Sequence, residues 1–294
     1  MKTYLHYKDK TLFYERGVFV FLILFTLFGW YKNGLTYVFM DKMTFLSSLK
    51  VFILPLISLG EGVLISFLTK KENKLSLINS SLLFTLLFPP AFSLKWGLLF
   101  LSIFNFWQFI CKMKNIKLEN VLLFKTLLII FCLIENIGLQ NEMEKLYSYS
   151  YQTLDILLGI SVGSFGITSI ILSLFLYLFL STDFYYKKDI PIAIIISYLI
   201  SCLLYSIVKT PVWQSDFLLN SSLIFAAIYF SRSNFITPVT RKGKMIYGIL
   251  IGITSFILNL FGFSEGVFIV FSIVMLGYLF YQKIKYKGYS SDRK

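Results

Sequence analysis

The sequence predicts an all-α polytopic membrane protein of about ten transmembrane helices, arranged as two inverted five-helix repeats. Three observations carry that expectation. The first is composition: of 294 residues 57% are hydrophobic and 15% charged, with 32 Phe and 19 Tyr. A mean hydropathy of +0.74 is more than the core of a soluble domain of this size can hide. The second is a series of apolar runs approaching the roughly 20 residues a spanning helix needs, separated by short loops that hold most of the Lys and Arg. The third is an eight-residue motif that occurs twice, LINSSLLF at Leu77 to Phe84 and LLNSSLIF at Leu218 to Phe225, identical at six of its eight positions.

Taken in order, the chain begins MKTYLHYKDKTLFYERG, which mixes Lys2, Lys8, Lys10 and Arg16 with Asp9 and Glu15. No small-residue cleavage site follows the apolar run from Gly17, so no removable signal peptide is expected. The spans are Gly17 to Tyr31, Phe45 to Leu68, Leu75 to Pro89, Lys95 to Cys111, Asn120 to Leu139, Leu157 to Leu180, Pro191 to Val208, Phe217 to Phe230, Met245 to Gly262 and Gly266 to Tyr281. They form one integral membrane domain over residues 1–294, with repeat halves at about 17–139 and 157–281.

Sidedness follows from the positive charges. Lys70, Lys71 and Lys74, then Lys112, Lys114 and Lys117, then Lys187 and Lys188, then Arg232, Arg241, Lys242 and Lys244 fall in alternate loops. Both termini are then cytoplasmic, and the chain is a multi-pass protein of the cell (inner, cytoplasmic) membrane. The opposite loops are poorer in positive charge, notably Gln140 to Ile156. The net charge of +13 is explained by topology and anionic headgroups, which argues for the bilayer and against nucleic acid as a partner.

Cys111, Cys132 and Cys202 are scattered in apolar segments without CxxC spacing, and the single His is His6. That pattern suits buried thiols packing as small hydrophobes, not a zinc, haem or iron-sulfur site, and no catalytic nucleophile or general base stands out.

The motif copies open the third and the eighth spans, the same place in each half of five. Five is odd, so the second half must enter the membrane from the opposite side, and the copies are related by an axis in the membrane plane. Both spans are short, and the first ends at Pro89-Pro90 while the second runs into Pro238. Short, Pro-ended, Ser-bearing segments predict broken helices whose free backbone groups face protein, water or a ligand. Asn79, Ser80, Ser81, Asn220, Ser221 and Ser222 are therefore ion-pathway candidates, the other reading being that they let helices pack closely.

Lys50, Glu61, Lys125 and Glu135 are charges in or near spans. Glu61, between Gly60 and Gly62, is the most central and joins the ion-pathway candidates, against the alternative of an interhelical hydrogen bond. Lys50 lies near an edge, and Lys125 and Glu135 are expected to snorkel from opposite ends of one helix, as structural residues.

From Asp155 the chain reads LDILLGISVGSFGITSIILSLFLYLFLSTDFYYKKDIPIAIIISYL and, later, FAAIYFSRSNFITPVTRKGKMIYGILIGITSFILNLFGFSEGVFIVF. These blocks resemble the membrane D-subunit of Rnf electron-transport complexes and its homologue, the B-subunit of the sodium-translocating NADH:quinone reductase. The resemblance rests on GSFGITS at Gly163 to Ser169 against the family's GSIGETS, on Ile190-Pro191, on Thr237 to Gly252 against SPVT-KG-IYGILIG, and on Glu265-Gly266. In the first half, NSSLLFTLLFPP at Asn79 to Pro90 is similar to the family's DGSALVTGLLLALxLPP.

The resemblance implies a ten-helix subunit with inverted repeats that carries FMN in an electron path driving Na⁺ or H⁺ across the membrane. It further implies integral, flavin-bearing and iron-sulfur partner subunits, so that the chain is part of an oxidoreductase and translocase and does not turn over alone. The cofactor would supply the redox chemistry and the protein its placement. Cofactor-binding candidates are Gly163, Ser164, Gly166, Thr168 and Ser169, a Gly- and hydroxyl-rich helix start suited to a flavin phosphate, with helix capping as the plainer alternative. The family attaches FMN to the threonine of an S-G-A-T motif. Here the loop carries Ser150-Tyr151-Gln152-Thr153, so Thr153 is the counterpart, and its bulky neighbours argue against covalent attachment.

Other departures fall at loops expected to hold cofactor. ATDP has become Ser231-Arg232-Ser233-Asn234, G-x-x-N-x-F-N-P-A is replaced by Lys114 to Asn120, and the Glu of GSIGETS is Ile167. A small-solute channel or transporter with inverted repeats, and a flavin-free structural subunit of the complex, stand as the alternatives.

Overall fold

The structure, a computed structural model, describes residues 2–39, 44–69, 74–90, 92–114, 116, 118–135, 137, 153–160, 163–208, 219–233, 237–238 and 240–291. Among these residues it is helical with no strand. The helices are α1 (Lys2–Trp30), α2 (Ile53–Leu68), α3 (Lys74–Leu86), α4 (Leu94–Met113), α5 (Asn120–Ile134), α6 (Thr153–Leu158), α7 (Ile170–Ser181), α8 (Asp189–Val208), α9 (Ser221–Phe230), α10 (Arg241–Leu260) and α11 (Gly266–Ser291). Among the described residues four helical stretches are long and apolar enough to cross a membrane, Leu12–Phe39, Leu94–Met113, Asp189–Ile207 and Arg241–Leu260. The shorter apolar helices are Ile53–Leu68, Lys74–Leu86, Asn120–Ile134, Ile170–Ser181, Ser221–Phe230 and Gly266–Phe280.

Three expected spans are built differently. The first does not stop at Tyr31: it runs on through a π-helical turn, Tyr31–Leu35, into Thr36–Phe39. The Asn33 amide donates to Gly29 O at 2.9 Å and to Phe165 O at 3.1 Å, so a side chain reaches into the helical ladder where the bulge forms. The second, expected over Phe45 to Leu68, is divided into Phe45–Ser48, a 3₁₀ turn Leu49–Phe52, and α2. The sixth, expected over Leu157 to Leu180, is interrupted between α6 and α7. Gly159 there has φ +100°, and a Cβ on it would lie 2.5 Å from Ser169 Cα. Only glycine can turn the chain that tightly, and the helix stops.

The two motif helices occupy the centre. α3 has 13 residues and α9 has 10, about 20 and 15 Å of helix against a hydrocarbon core of about 30 Å. Every residue of α9 is buried, as is α3 from Ser81 to Leu86. Such short segments satisfy their freed backbone groups only because protein surrounds them. Each copy ends in a wholly buried Phe: Phe84 stacks on Phe104 at 4.3 Å between centroids, and Phe225 meets Phe25 edge-on at 5.3 Å.

The packing of the first half recurs in the second. α1 and α2 both pack on α3, α4 on α2, and α5 on α3 and α4; likewise α7 and α8 pack on α9, α10 on α8, and α11 on α9 and α10. Between the halves, α1 packs on α7 and α5 on α11. The α8–α10 seam is close: a Cβ on Gly252 would lie 2.5 Å from Ile194 O and one on Gly248 2.5 Å from Ala193 Cβ. Lipid tails give no hydrophobic drive to helix pairing, so a small-xxx-small seam of this kind works through close backbone packing.

Candidate functional site

The break that ends α3 is where the charges gather. Pro89 and Pro90 have no N–H, so the helical ladder cannot continue past Leu86 and the last carbonyls lose their donors. Each finds another. Leu86 O accepts from Gly166 N at 3.1 Å and Phe88 O from Phe165 N at 2.8 Å, both in the GSFGITS turn. Leu87 O accepts from Lys125 Nζ of α5 at 2.6 Å and lies 3.1 Å from Ser164 Oγ. Lys125 Nζ also donates to Ser164 Oγ at 3.1 Å and pairs with the Glu265 Oε2 carboxylate oxygen, while Ser164 Oγ is hydrogen-bonded to Glu265 Oε1. The Phe268 ring lies 5.5 Å from the ammonium.

Lys125 therefore does not snorkel: it is 1% exposed and Glu265 5%. Lys125 lies about a turn and a half into α5 with its side chain turned into the bundle, and a carboxylate from the α10–α11 turn answers it. Glu135, at the C-cap of α5, is exposed as expected. The Lys50 side chain lies outside the described residues. A cleft of ≈ 230 Å³ leads to the ion pair, lined by Pro89, Leu128, Cys132, Ser264 and Gly266 besides the two charged residues.

The GSFGITS residues are buried and already partnered. Thr168 Oγ1 donates to Gly159 O at 2.7 Å, Ser169 Oγ caps α7 by accepting from Leu172 N at 3.3 Å, and Ser164 belongs to the ion-pair network. Gly166 permits close approach, since a Cβ there would lie 2.5 Å from Leu86 Cδ2 and 3.0 Å from Phe25 O. With these hydroxyls engaged and Lys125 balanced by Glu265, this turn does not fit a flavin phosphate, and the cleft is smaller than the 300 Å³ or more typical of cofactor pockets. Thr153 is exposed at the start of α6. Ser150, Tyr151 and Gln152 lie outside the described residues.

The first motif copy ties three helices together. Asn79 Nδ2 donates to Glu15 Oε2 at 2.8 Å on α1, Gln108 Nε2 of α4 donates to Ser80 Oγ at 2.6 Å, and Ser81 Oγ donates to Ser58 O at 3.0 Å on α2. Glu61, half-buried, accepts from Asn105 Nδ2 at 2.6 Å and Ser102 Oγ at 3.3 Å, both on α4. Three buried amide oxygens in this region lack a donor: Asn79 Oδ1, Asn105 Oδ1 and Gln108 Oε1. In the second copy Asn220 caps α9 by accepting from Leu223 N at 3.0 Å and donates to Ser264 O at 2.8 Å. Ser222 Oγ lies 3.0 Å from the same carbonyl, and Ser221 is buried.

At the far end of α9, Tyr186 Oη donates to Ile228 O at 2.9 Å. Ile228 stands ten residues after the first residue of its motif copy, as Leu87 does after Leu77. Both motif segments thus have a carbonyl at the same repeat position bonded by a distant side chain, Lys125 of α5 in one and Tyr186 of the α7–α8 turn in the other. Next to it Lys187 donates to Thr237 O at 2.9 Å. Burial, and then the like charge of Lys244, push the Lys187 ammonium below its ordinary range.

Residues 126–282, more than half of the chain, match the sequence model of the NQR2, RnfD, RnfE family. The chain belongs to the NQR2, RnfD, RnfE family. The matched stretch takes in GSFGITS, the second motif copy and Glu265, and it begins inside α5, one residue past Lys125. No curated protein matches the chain. Membership of the NQR2, RnfD, RnfE family, with the four long apolar helices, makes this a membrane protein and a subunit of a multi-subunit Rnf- or Nqr-like complex.

Proposed function

We propose that the chain is a membrane subunit of an Rnf-like complex that supports flavin-mediated electron transfer coupled to Na⁺ or H⁺ movement, with integral and iron-sulfur partner subunits. The family match over 126–282 carries this reading. The recurrence of one packing scheme in two halves, with α1 on α7 and α5 on α11, supports a two-fold repeat, because such an axis brings a helix against its own counterpart, and an odd count of five spans per half would make it an inverted one. Alternate positive loops support cytoplasmic termini in the cell membrane.

For the ion, the observation that counts is around Glu61. The half-buried Glu61 carboxylate accepts from the amide of Asn105, whose own oxygen, like those of Asn79 and Gln108, has no donor among the described residues, and such acceptors stay unsatisfied unless water or a cation serves them. Asn79, Ser80 and Ser81 bond from α3 to α1, α4 and α2, whereas Asn220 and Ser222 bond to the α10–α11 turn. Glu61 is the residue proposed to hold the ion, and the Asn79 and Gln108 oxygens to serve it along α3.

A second reading is favoured by the GSFGITS geometry. With its hydroxyls engaged, and with Tyr151-Gln152 where the family has small residues, the chain would act as a flavin-free member of the complex, holding partners that carry the cofactor.

The test is ion uptake into inverted membrane vesicles driven by the native electron donor, comparing the native chain with Glu61→Gln in an otherwise intact complex. Electron transfer that continues while uptake falls at least tenfold supports the reading. Uptake unchanged in Glu61→Gln removes Glu61 from the path.

A further inference from the structure

Lys125 is unusual in the completeness of its surroundings. An ammonium has three protons and no acceptor. Here those protons meet one carbonyl, Leu87 O, one hydroxyl, Ser164 Oγ, and one carboxylate, Glu265, with the Phe268 face behind them. None of these groups comes from the helix that carries the lysine. They belong to the broken end of α3, the GSFGITS turn and the start of α11, which assemble for reasons of their own: Pro89-Pro90 frees the carbonyls, and Phe165 and Gly166 dock onto them.

Remove the ammonium in thought, and what is left is an oxygen cage with a single negative charge at the C-terminal, electronegative end of a half-helix. Unwound carbonyls and half-helix ends with one carboxylate are the donor set that takes a hard monovalent cation inside a membrane protein. The cleft reaches Lys125 and Glu265 from the side of the α10–α11 turn.

We infer that Leu87 O, Ser164 Oγ and Glu265 form a monovalent-cation site, that Lys125 is its tethered occupant, and that the cleft beside Cys132 is the route by which a free cation reaches it. The site is separate from the Glu61 region and does not depend on the electron-transfer reading: it holds whether or not the complex pumps ions. The lysine acts as a built-in competitor, so a free cation occupies the cage only when the ammonium is withdrawn or absent.

The experiment is thermal unfolding of the detergent-extracted full chain as the Lys125→Met variant, which keeps the side chain's length and removes its charge. It is run at one ionic strength in choline, ammonium, sodium or potassium chloride. The inference expects ammonium, or one of the alkali cations, to raise the melting temperature of Lys125→Met saturably by several degrees over choline. The native chain, whose cage is filled, shows no such step, and Lys125→Met/Glu265→Gln loses it. Equal melting temperatures in all four salts overturn the site, as does an unchanged response in the double variant, which would place the cation elsewhere.

Should Lys125→Met not fold, the native chain answers for the route. A small water-soluble alkylating reagent, followed by peptide mass mapping, is expected to modify Cys132 at least tenfold faster than Cys202, which is also buried but does not line the cleft. Equal rates at the two cysteines contradict the route, and with it the inference.

Discussion

Replacing Glu265 by Gln tests the ion pair that closes the broken end of α3. The substitution keeps the side chain's shape and one acceptor but removes the negative charge paired with an ammonium that is 1% exposed. Breaking a buried pair by removing one partner costs about 3 to 5 kcal/mol, because a charge is left without its counter-charge. The lower figure applies here, since Leu87 O and Ser164 Oγ still receive two of the three protons. About 3 kcal/mol lowers the folded-to-unfolded ratio roughly a hundredfold. At about 2 °C per kcal/mol for a chain of this size, the melting temperature falls by about 6 °C.

Lys125→Met should fall by a comparable amount in choline, leaving a lone carboxylate. Lys125→Met/Glu265→Gln buries no charge and should lose clearly less than the two single variants together, with a coupling of about 1.5 kcal/mol or more. The assay is intrinsic tryptophan fluorescence on heating in detergent. Additive losses, or a Glu265→Gln variant that melts with the native chain, would refute the claim that the two charges meet away from water.

Other expectations follow from the same geometry. Gly252→Ala should destabilise the fold by about 1 to 3 kcal/mol, because the added methyl meets the Ile194 carbonyl, which cannot turn aside; an unchanged melting temperature would show that the α8–α10 seam is looser than described. Asn220→Ala removes the cap of α9 and a bond to Ser264 O, and should cost about 1 to 2 kcal/mol in the same assay, whereas Asn220→Ser should recover part of it. Thr153→Ala should leave the flavin mass retained on the denatured chain unchanged, in keeping with the bulky Tyr151-Gln152 before it; an adduct that the substitution abolishes would identify Thr153 as the attachment point.

The all-helical membrane class was legible because composition and the recurring apolar runs depend on nothing outside the sequence. The motif copies were legible as special because Pro89-Pro90 and the paired Asn-Ser-Ser are local signals, and both helices are indeed short and buried. What the chain concealed was pairing over distance. Lys125 and Glu265 are 140 positions apart, and hydropathy makes Lys125 look like an ordinary charge near a helix start. The available sign was the Glu265-Gly266 block in a turn otherwise poor in charge: an intramembrane lysine and an isolated acidic residue invite a partner search. The break before α7 was also concealed, since Leu157 to Leu180 carries no charge and Gly163 and Gly166 suit the approach of a ligand as well as a stop. The Ser and Thr of that turn proved to serve backbone and ion pair, as the capping alternative has it for Ser169.

The central claim is that this chain works as the membrane subunit of an Rnf- or Nqr-like redox complex. The most direct measurement is native mass spectrometry of the tagged chain, extracted in mild detergent from its own host. The account predicts a particle containing other integral subunits and iron-sulfur subunits, with flavin somewhere in the assembly. A chain that travels alone or only with copies of itself, free of flavin and iron, would contradict it.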